Sequence, residues 1–236
     1  MNGSVSDEPK STVAFRGWEA ALWLVFSAIL LFMSIESFLL WSRVDSYYSR
    51  PAFTGTLGVL VFSIPLYLRM SGKLITPWPL IILIYLSIFL HTWGDFARFY
   101  DQYSWWDNLT HFVSSTTVAV ISFLAIVILT HYVDVVYMPV EIIPFMVIMT
   151  SCFFGVTWEL LEWFLDWATG TGMQYSLQDT VYDLIMDFVG GVIVGSVGYK
   201  YLHYHSPDEL AIGLGIEDFM HTMAKKWADR AHLLQT

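Results

Sequence analysis

"WWDNLTHFVSSTTVAVISFLAIVILTH", residues 105–131, decides the fold. From Asp107 to His131 the stretch is long enough, at about 1.5 Å per helical residue, to cross roughly 30 Å of hydrocarbon. From Val118 to Leu129 it is almost wholly apolar. An acid and an imidazole nevertheless enter with it. Asp107 and His111 lie four residues apart, so a helix puts them on one face, and Ser114 and Ser115 continue the same stripe.

The rest of the chain is of the same kind. Across 236 residues, 56% are hydrophobic and only 14% charged, with a mean hydropathy of +0.56. These values lie outside the range of soluble domains and imply an all-α, polytopic membrane protein. The single cysteine, Cys152, excludes a disulfide framework and a thiolate metal site. A net charge of −10 argues against a nucleic-acid partner. The N-terminus lacks the basic start and short apolar core of a cleaved signal peptide, so the first hydrophobic segment is expected to stay in the membrane.

Six runs are long enough to span, at about 17–41, 53–69, 78–99, 107–131, 140–166 and 180–202. Pro51, Pro77 and Pro139 stand at the entrances of the second, third and fifth, where a missing backbone N–H does no harm. Connections are short and no repeat is visible. The expected organisation is a tail over 1–16, one six-helix transmembrane domain over 17–202, and a C-terminal helix over 203–236. With the N-terminus inside, Lys10, Arg16, Arg69, Lys73, Lys200, Lys225, Lys226 and Arg230 are internal, against Arg43, Arg50 and Arg98 outside. The positive-inside rule then makes both termini cytoplasmic in a plasma-membrane protein. From Asp208 on, Ile216, Met220, Met223 and Trp227 recur at helical spacing, as in an interfacial amphipathic helix; a solvated helix capping the domain is the alternative.

The intramembrane charges follow stripes. "FLHTWGDFARF" places His91, Asp95 and Arg98 at i, i+4 and i+7; "GVTWELLEWFLDW" places Glu159, Glu162 and Asp166 at i, i+3 and i+7; "QDTVYDLIMDFVGG" places Asp179, Asp183 and Asp187 at i, i+4 and i+8. The C-terminal ends of the third and fifth spans share a side of the membrane with the N-terminal ends of the fourth and sixth. Four helices therefore deliver Asp95, Asp107, Glu159, Glu162, Asp166, Asp179, Asp183 and Asp187 to one leaflet, the outer one by the charge count. They are accompanied by Arg98, His91 and His111.

A charge facing lipid costs about 2.5–3.5 kcal/mol, so the stripes should face one another around a polar bowl. Crowded carboxylates there must be protonated or hold a cation. Carboxylates with imidazole suit Zn²⁺, Mn²⁺ or Fe²⁺, and carboxylates alone suit Mg²⁺ or Ca²⁺. Metal-bridged four-helix bundles offer the same architecture with a different ligand signature. Below the acids, Gly190, Gly191, Gly195 and Gly198 include a GxxxG that lets the sixth span pack closely on a neighbour.

Taken singly, most of these residues have plainer readings. Asp107 and Asp179 stand where helix caps stand, and Asp166 and Asp101 lie at the water boundary. Trp93, Trp105, Trp106, Trp158, Trp163 and Trp167 read as an aromatic belt. Asn108-Leu109-Thr110 has the glycosylation pattern but sits at the membrane entrance. His111, Glu159, Asp183 and Asp187 lie beyond a capping role, and the set Asp107, His111, Glu159, Glu162, Asp183 and Asp187 reads as one cluster, with Asp95, Ser114 and Asp179 around it. A structural hydrogen-bond network is the alternative.

The motifs D-x-x-x-H-F at Asp107, His111 and Phe112, W-E-L-L-E-W at 158–163, and D-T-x-x-D at Asp179, Thr180 and Asp183 resemble the YjdF family of predicted inner-membrane proteins. The "LHTWGD" segment looks like that family's His-and-Gly stretch. More distantly, the pattern is similar to VanZ-like proteins associated with glycopeptide-antibiotic resistance. There the middle motif reads E-x-x-Q, where this chain has Glu162, and the last carries Asn where this chain has Asp187. The resemblance covers roughly 60–200, implies a compact polytopic fold, and suggests by analogy an involvement with cell-envelope lipids or their carriers.

Three functions are compatible with this pattern. One is a divalent-metal-dependent hydrolase or transferase acting on a lipid at the outer leaflet, with one or two metal ions on the cluster, Arg98 on a phosphate and His91 as acid or base. Another is a cation or proton transporter, against which no inverted repeat or matched pair of broken helices is visible. The third is a non-catalytic membrane subunit whose polar cluster fixes helix register.

Overall fold

The computed structural model describes residues 17–70, 77–133 and 138–214, and among these every regular element is helical. The elements are α1 (Gly17–Arg43), α2 (Ser49–Met70), α3 (Trp78–Phe96), the short α4 (Phe99–Gln102), α5 (Trp106–Tyr132), α6 (Ile143–Thr169), α7 (Leu177–Leu202) and α8 (Pro207–Gly213). Six of them are long and apolar enough to cross a membrane. The chain is an all-α polytopic membrane protein. The tail over 1–16 and the amphipathic positions from Ile216 to Trp227 lie outside the described residues.

Local chemistry fixes the helix ends. Pro77 precedes α3, where its fixed φ suits the first turn. Ser176 accepts the Asp179 N–H at 3.1 Å to start α7, and Ser206 accepts the Glu209 N–H at 3.2 Å to start α8. Gly170 closes α6 in the left-handed conformation at φ 68°. Among the described residues no helix-end N–H is bonded to the Asp107 or Asp179 carboxylate. Trp105 opens α5 without a side-chain cap, and serine does that work in α7.

Packing divides the helices into two groups. Trp23, Phe62 and Ile81 tie α1, α2 and α3, with the Trp23 and Phe62 rings 4.0 Å apart. Ala119, Phe123, Val127, Val147 and Val194 tie α5, α6 and α7, and Leu210 and Ala211 of α8 close that core at the far end. A polar seam joins the groups where the Ser87 and Thr117 hydroxyls meet at 2.7 Å between α3 and α5. The GxxxG packs as its spacing predicts. A Cβ on Gly191 would stand 3.1 Å from the Ile148 Cα, and one on Gly195 would stand 3.0 Å from the Pro144 carbonyl, so α7 lies directly on the α6 backbone.

Of the boundaries that differ from the hydropathy reading, two move an arginine. The second span begins at Ser49, not 53, which brings Arg50 into the first helical turn. The third ends at Phe96, not 99. Ala97 still closes the helix, but Arg98 adopts φ 59°, ψ 34°, and the chain turns back into α4. Gly94 permits that return, because any side chain there would strike the Trp106 indole and the Tyr100 ring.

Candidate functional site

The C-terminal ends of α3 and α6 and the N-terminal ends of α5 and α7 meet as the stripes require. At their centre stands His111, 7% exposed. Its Nε2 lies 3.7 Å from Asp107 Oδ1 and 3.6 Å from Glu159 Oε1, and its Nδ1 lies 3.4 Å from Asp187 Oδ1. Asp183 completes the group: one donor atom each from Asp107, His111 and Asp183 fall within 4.8 Å of one another. Charge-assisted N–H···O bonds close to about 2.7–2.9 Å, so these carboxylates surround the imidazole without closing on it. Glu159 Oε1 and Asp183 Oδ1 are buried and have no hydrogen-bond partner among the described residues. Two orphaned carboxylate oxygens beside a shared imidazole are the donor set a hard or borderline divalent cation takes.

The floor of the site is built by small residues. Ser151 on α6 donates to the Asp187 carbonyl at 3.0 Å, and Ser115 donates to the Met186 carbonyl at 3.4 Å. Gly155 on α6 faces the Asp187 carboxylate so closely that a Cβ would collide with it. Helical spacing could have found this glycine, since it precedes Glu159 by one turn on the polar stripe.

Glu162 is buried beside the group, sharing a small polar pocket with Asp107, and accepts the Trp158 indole N–H at 2.8 Å. Trp158 and Trp106 are therefore not belt residues: the first meets His91 edge-on at 5.2 Å, and the second is 7% exposed beneath α4. Ser114 lines the cavities on both sides of the cluster. Asp179 is half-buried in the first turn of α7. Asp166, expected at the water boundary, organises the α6–α7 loop instead. Its carboxylate accepts from the Thr171 hydroxyl at 2.6 Å and from the N–H groups of Met173 and Gln174 at 2.7 and 2.9 Å.

His91 stands beside the cluster and is linked to it. Tyr100 OH lies 2.8 Å from His91 Nδ1 and donates to Thr110 Oγ1 at 3.3 Å, and Thr110 donates to the Asp107 carbonyl at 2.8 Å. Burial, with Asp95 and Asp107 nearby, raises the Tyr100 phenol well above its ordinary value, so it keeps its proton and serves as a donor. His91 Nε2 is buried and has no hydrogen-bond partner among the described residues. Asp95 Oδ2, also without a partner among the described residues, is 4.0 Å from that nitrogen.

The two arginines exchange roles. Arg98, expected on the polar stripe, is carried off it by the left-handed backbone and pairs with Asp45 at 2.6 Å on a half-exposed surface. Arg50, read as an external charge, is 6% exposed; its Nη1 lies 3.8 Å from Asp95 Oδ1 and its Nη2 donates to the Gly172 carbonyl at 2.5 Å. The Tyr47 N–H and then Arg98 hold the Asp45 carboxyl below its ordinary value of 3.8. The contribution of that pair is thus present at neutral pH and is lost only as the pH falls through the acidic range. Arg98→Gln is expected to leave thermal stability and metal content at neutral pH unchanged; a loss of either would return Arg98 to the site.

Two cavities meet at this end. One, of about 220 Å³, is lined by His111, Asp187, Ser115 and Gly155. The other is a cleft of about 700 Å³ between α1–α2–α3 and α6, lined by residues such as Phe38, Phe53, Leu57 and Leu161. His91, Ser114 and Trp158 belong to both walls.

Fold and site together define a polytopic helical membrane protein with a buried carboxylate–histidine cluster. The chain belongs to the family described as "Predicted membrane protein (DUF2238)", whose model matches residues 21–204. It is similar to an uncharacterized protein of Thermotoga maritima, 29% identical over 116 residues, which are 48% of this chain and 58% of that relative's length. No solved structure matches.

Proposed function

We propose that the protein is an integral-membrane enzyme that uses a divalent cation to hydrolyse, or transfer a group from, a membrane lipid or lipid carrier at the outer leaflet. The observation that carries this reading is the shared wall: the cavity holding the cluster abuts an apolar cleft large enough for a lipid chain, with His91 between them. Asp107, His111 and Asp183 would hold the cation, with Glu159 and Asp187 on either side of the imidazole. A bound cation supplies a polarised oxygen on the scissile group and an acidified water. His91, whose Nε2 is buried and without a hydrogen-bond partner among the described residues, lies on the wall shared with the cleft and would take or return a proton there. The motif resemblance to YjdF-like and VanZ-like proteins is compatible with such a lipid-facing role, and the excess of internal lysine and arginine supports placing the site on the outer side.

Metal analysis of the purified protein tests the cation. The expected result is about one Zn, Mn or Fe, or a dissociable Mg, per chain. Asp183→Asn should lower that content roughly 10-fold or more. A metal-free protein whose thermal stability is indifferent to chelator would overturn the metalloenzyme. Ion flux in proteoliposomes without lipid turnover would replace catalysis by transport.

A further inference from the structure

We infer that the cleft takes a phosphate-bearing lipid, its chain between α2 and α6 and its phosphate on Arg50. This inference rests on the lipid-enzyme reading and specifies its substrate class. Of the three arginines at this end, Arg43 is exposed and Arg98 is neutralised by Asp45. Arg50 is buried at the junction of two spaces. It lines the apolar cleft, and it also lines a small polar pocket that includes Asp107 and Glu162. A head group at the polar end of the cleft therefore meets its guanidinium.

The guanidinium is only partly used. Of its five N–H groups, one goes to the Gly172 carbonyl and another meets the Tyr175 hydroxyl. Asp95 stands off at 3.8 Å, and Nε–H is buried without a partner among the described residues. An unused donor of a buried cation is costly, and a planar fork beside an apolar cleft matches an anionic head group with several acceptor oxygens. Phosphate fits better than carboxylate, because its additional oxygens let one group meet Nε–H and a terminal N–H of Arg50 together from the cleft side. The α6–α7 loop, held by Asp166, places Gly172 and Tyr175 against the guanidinium, which keeps its fork fixed.

The test is equilibrium binding of phosphatidic acid to the purified full-length protein in maltoside micelles, beside diacylglycerol with the same chains and inorganic phosphate, with metal content measured on the same samples. Phosphatidic acid should bind at least about tenfold more tightly than diacylglycerol, and inorganic phosphate should not displace it. Arg50→Gln should remove that preference and Arg98→Gln should preserve it. Because Arg50 is buried, Leu161→Trp provides a second test: it narrows the cleft without touching Arg50 and should weaken phosphatidic acid by about tenfold with metal content unchanged. Equal binding of diacylglycerol, full displacement by inorganic phosphate, or undiminished binding in a folded Arg50→Gln or in Leu161→Trp overturns the inference. Metal retained while phosphatidic acid ignores both substitutions sinks the inference alone. Arg50-dependent binding to a protein without metal sinks the metalloenzyme alone.

Discussion

Alanine at position 111 is expected to cost the protein both its metal and a large part of its stability. Three carboxylates approach the His111 ring within 3.7 Å, from α5, α6 and α7, and the ring is 7% exposed. Removing one partner of a buried charged group strands the others, at a cost of about 3–5 kcal/mol. For a chain of this size that lowers Tm by roughly 10 °C. A second effect separates a ligand from a packing residue. Wild-type protein should lose stability on chelation, since a ligand that binds only the folded state stabilises it by mass action, whereas His111→Ala should be indifferent to chelator. Thermal unfolding in micelles with and without chelator reads both effects. If His111→Ala keeps its chelator response, the cation does not use this imidazole. If wild type and variant are alike in Tm, the cluster is not what holds α5, α6 and α7 together at this end.

The period of the helix made much of this legible in the sequence. Once six spans are drawn, the 3.6-residue repeat puts His111, Glu159, Asp183 and Asp187 on inward faces, and antiparallel order puts those faces at one end of the bundle. Both steps need only spacing and length, and the structure brings these four residues together. Spacing failed where the backbone left the helix. The left-handed turn at Arg98 rotates its side chain off the stripe that His91 and Asp95 keep, and a non-glycine residue in that conformation leaves no mark in sequence. Arg50 was hidden by the opposite error. Pro51 drew the helix boundary too late, since proline is welcome anywhere in a first turn and α2 already begins at Ser49. Trp158 was hidden by its type: at a membrane boundary tryptophan reads as belt, and only the contact with Glu162 and His91 shows it turned inward. Asp166 looked solvated because the loop folded over it is a tertiary fact.

Gly155→Ala offers the sharpest separation between a cluster that binds and one that merely fills space. The added methyl is the smallest possible change, yet its Cβ would collide with the Asp187 carboxylate. Asp187 has little room to retreat. It is 3% exposed, its own carbonyl is fixed by Ser151 from below, and His111 Nδ1 lies 3.4 Å away on its other side. Overpacking of this kind costs typically 1–3 kcal/mol. The larger consequence falls on the metal, because a residue that orients a ligand changes affinity roughly 10–100-fold when displaced. Gly55→Ala supplies a matched control, since its Cβ would stand 3.1 Å from Ser34, in the α1–α2 packing away from the cluster, and should lower stability while leaving metal affinity alone. Gly213→Ala, with open space around it, should change neither. Metal titration of the three variants then decides the composition of the site. A loss confined to Gly155→Ala ties Asp187 to the cation through His111. Full affinity in that variant would reduce the site to Asp107, His111 and Asp183, and leave Asp187 as the acceptor that merely holds the imidazole in place.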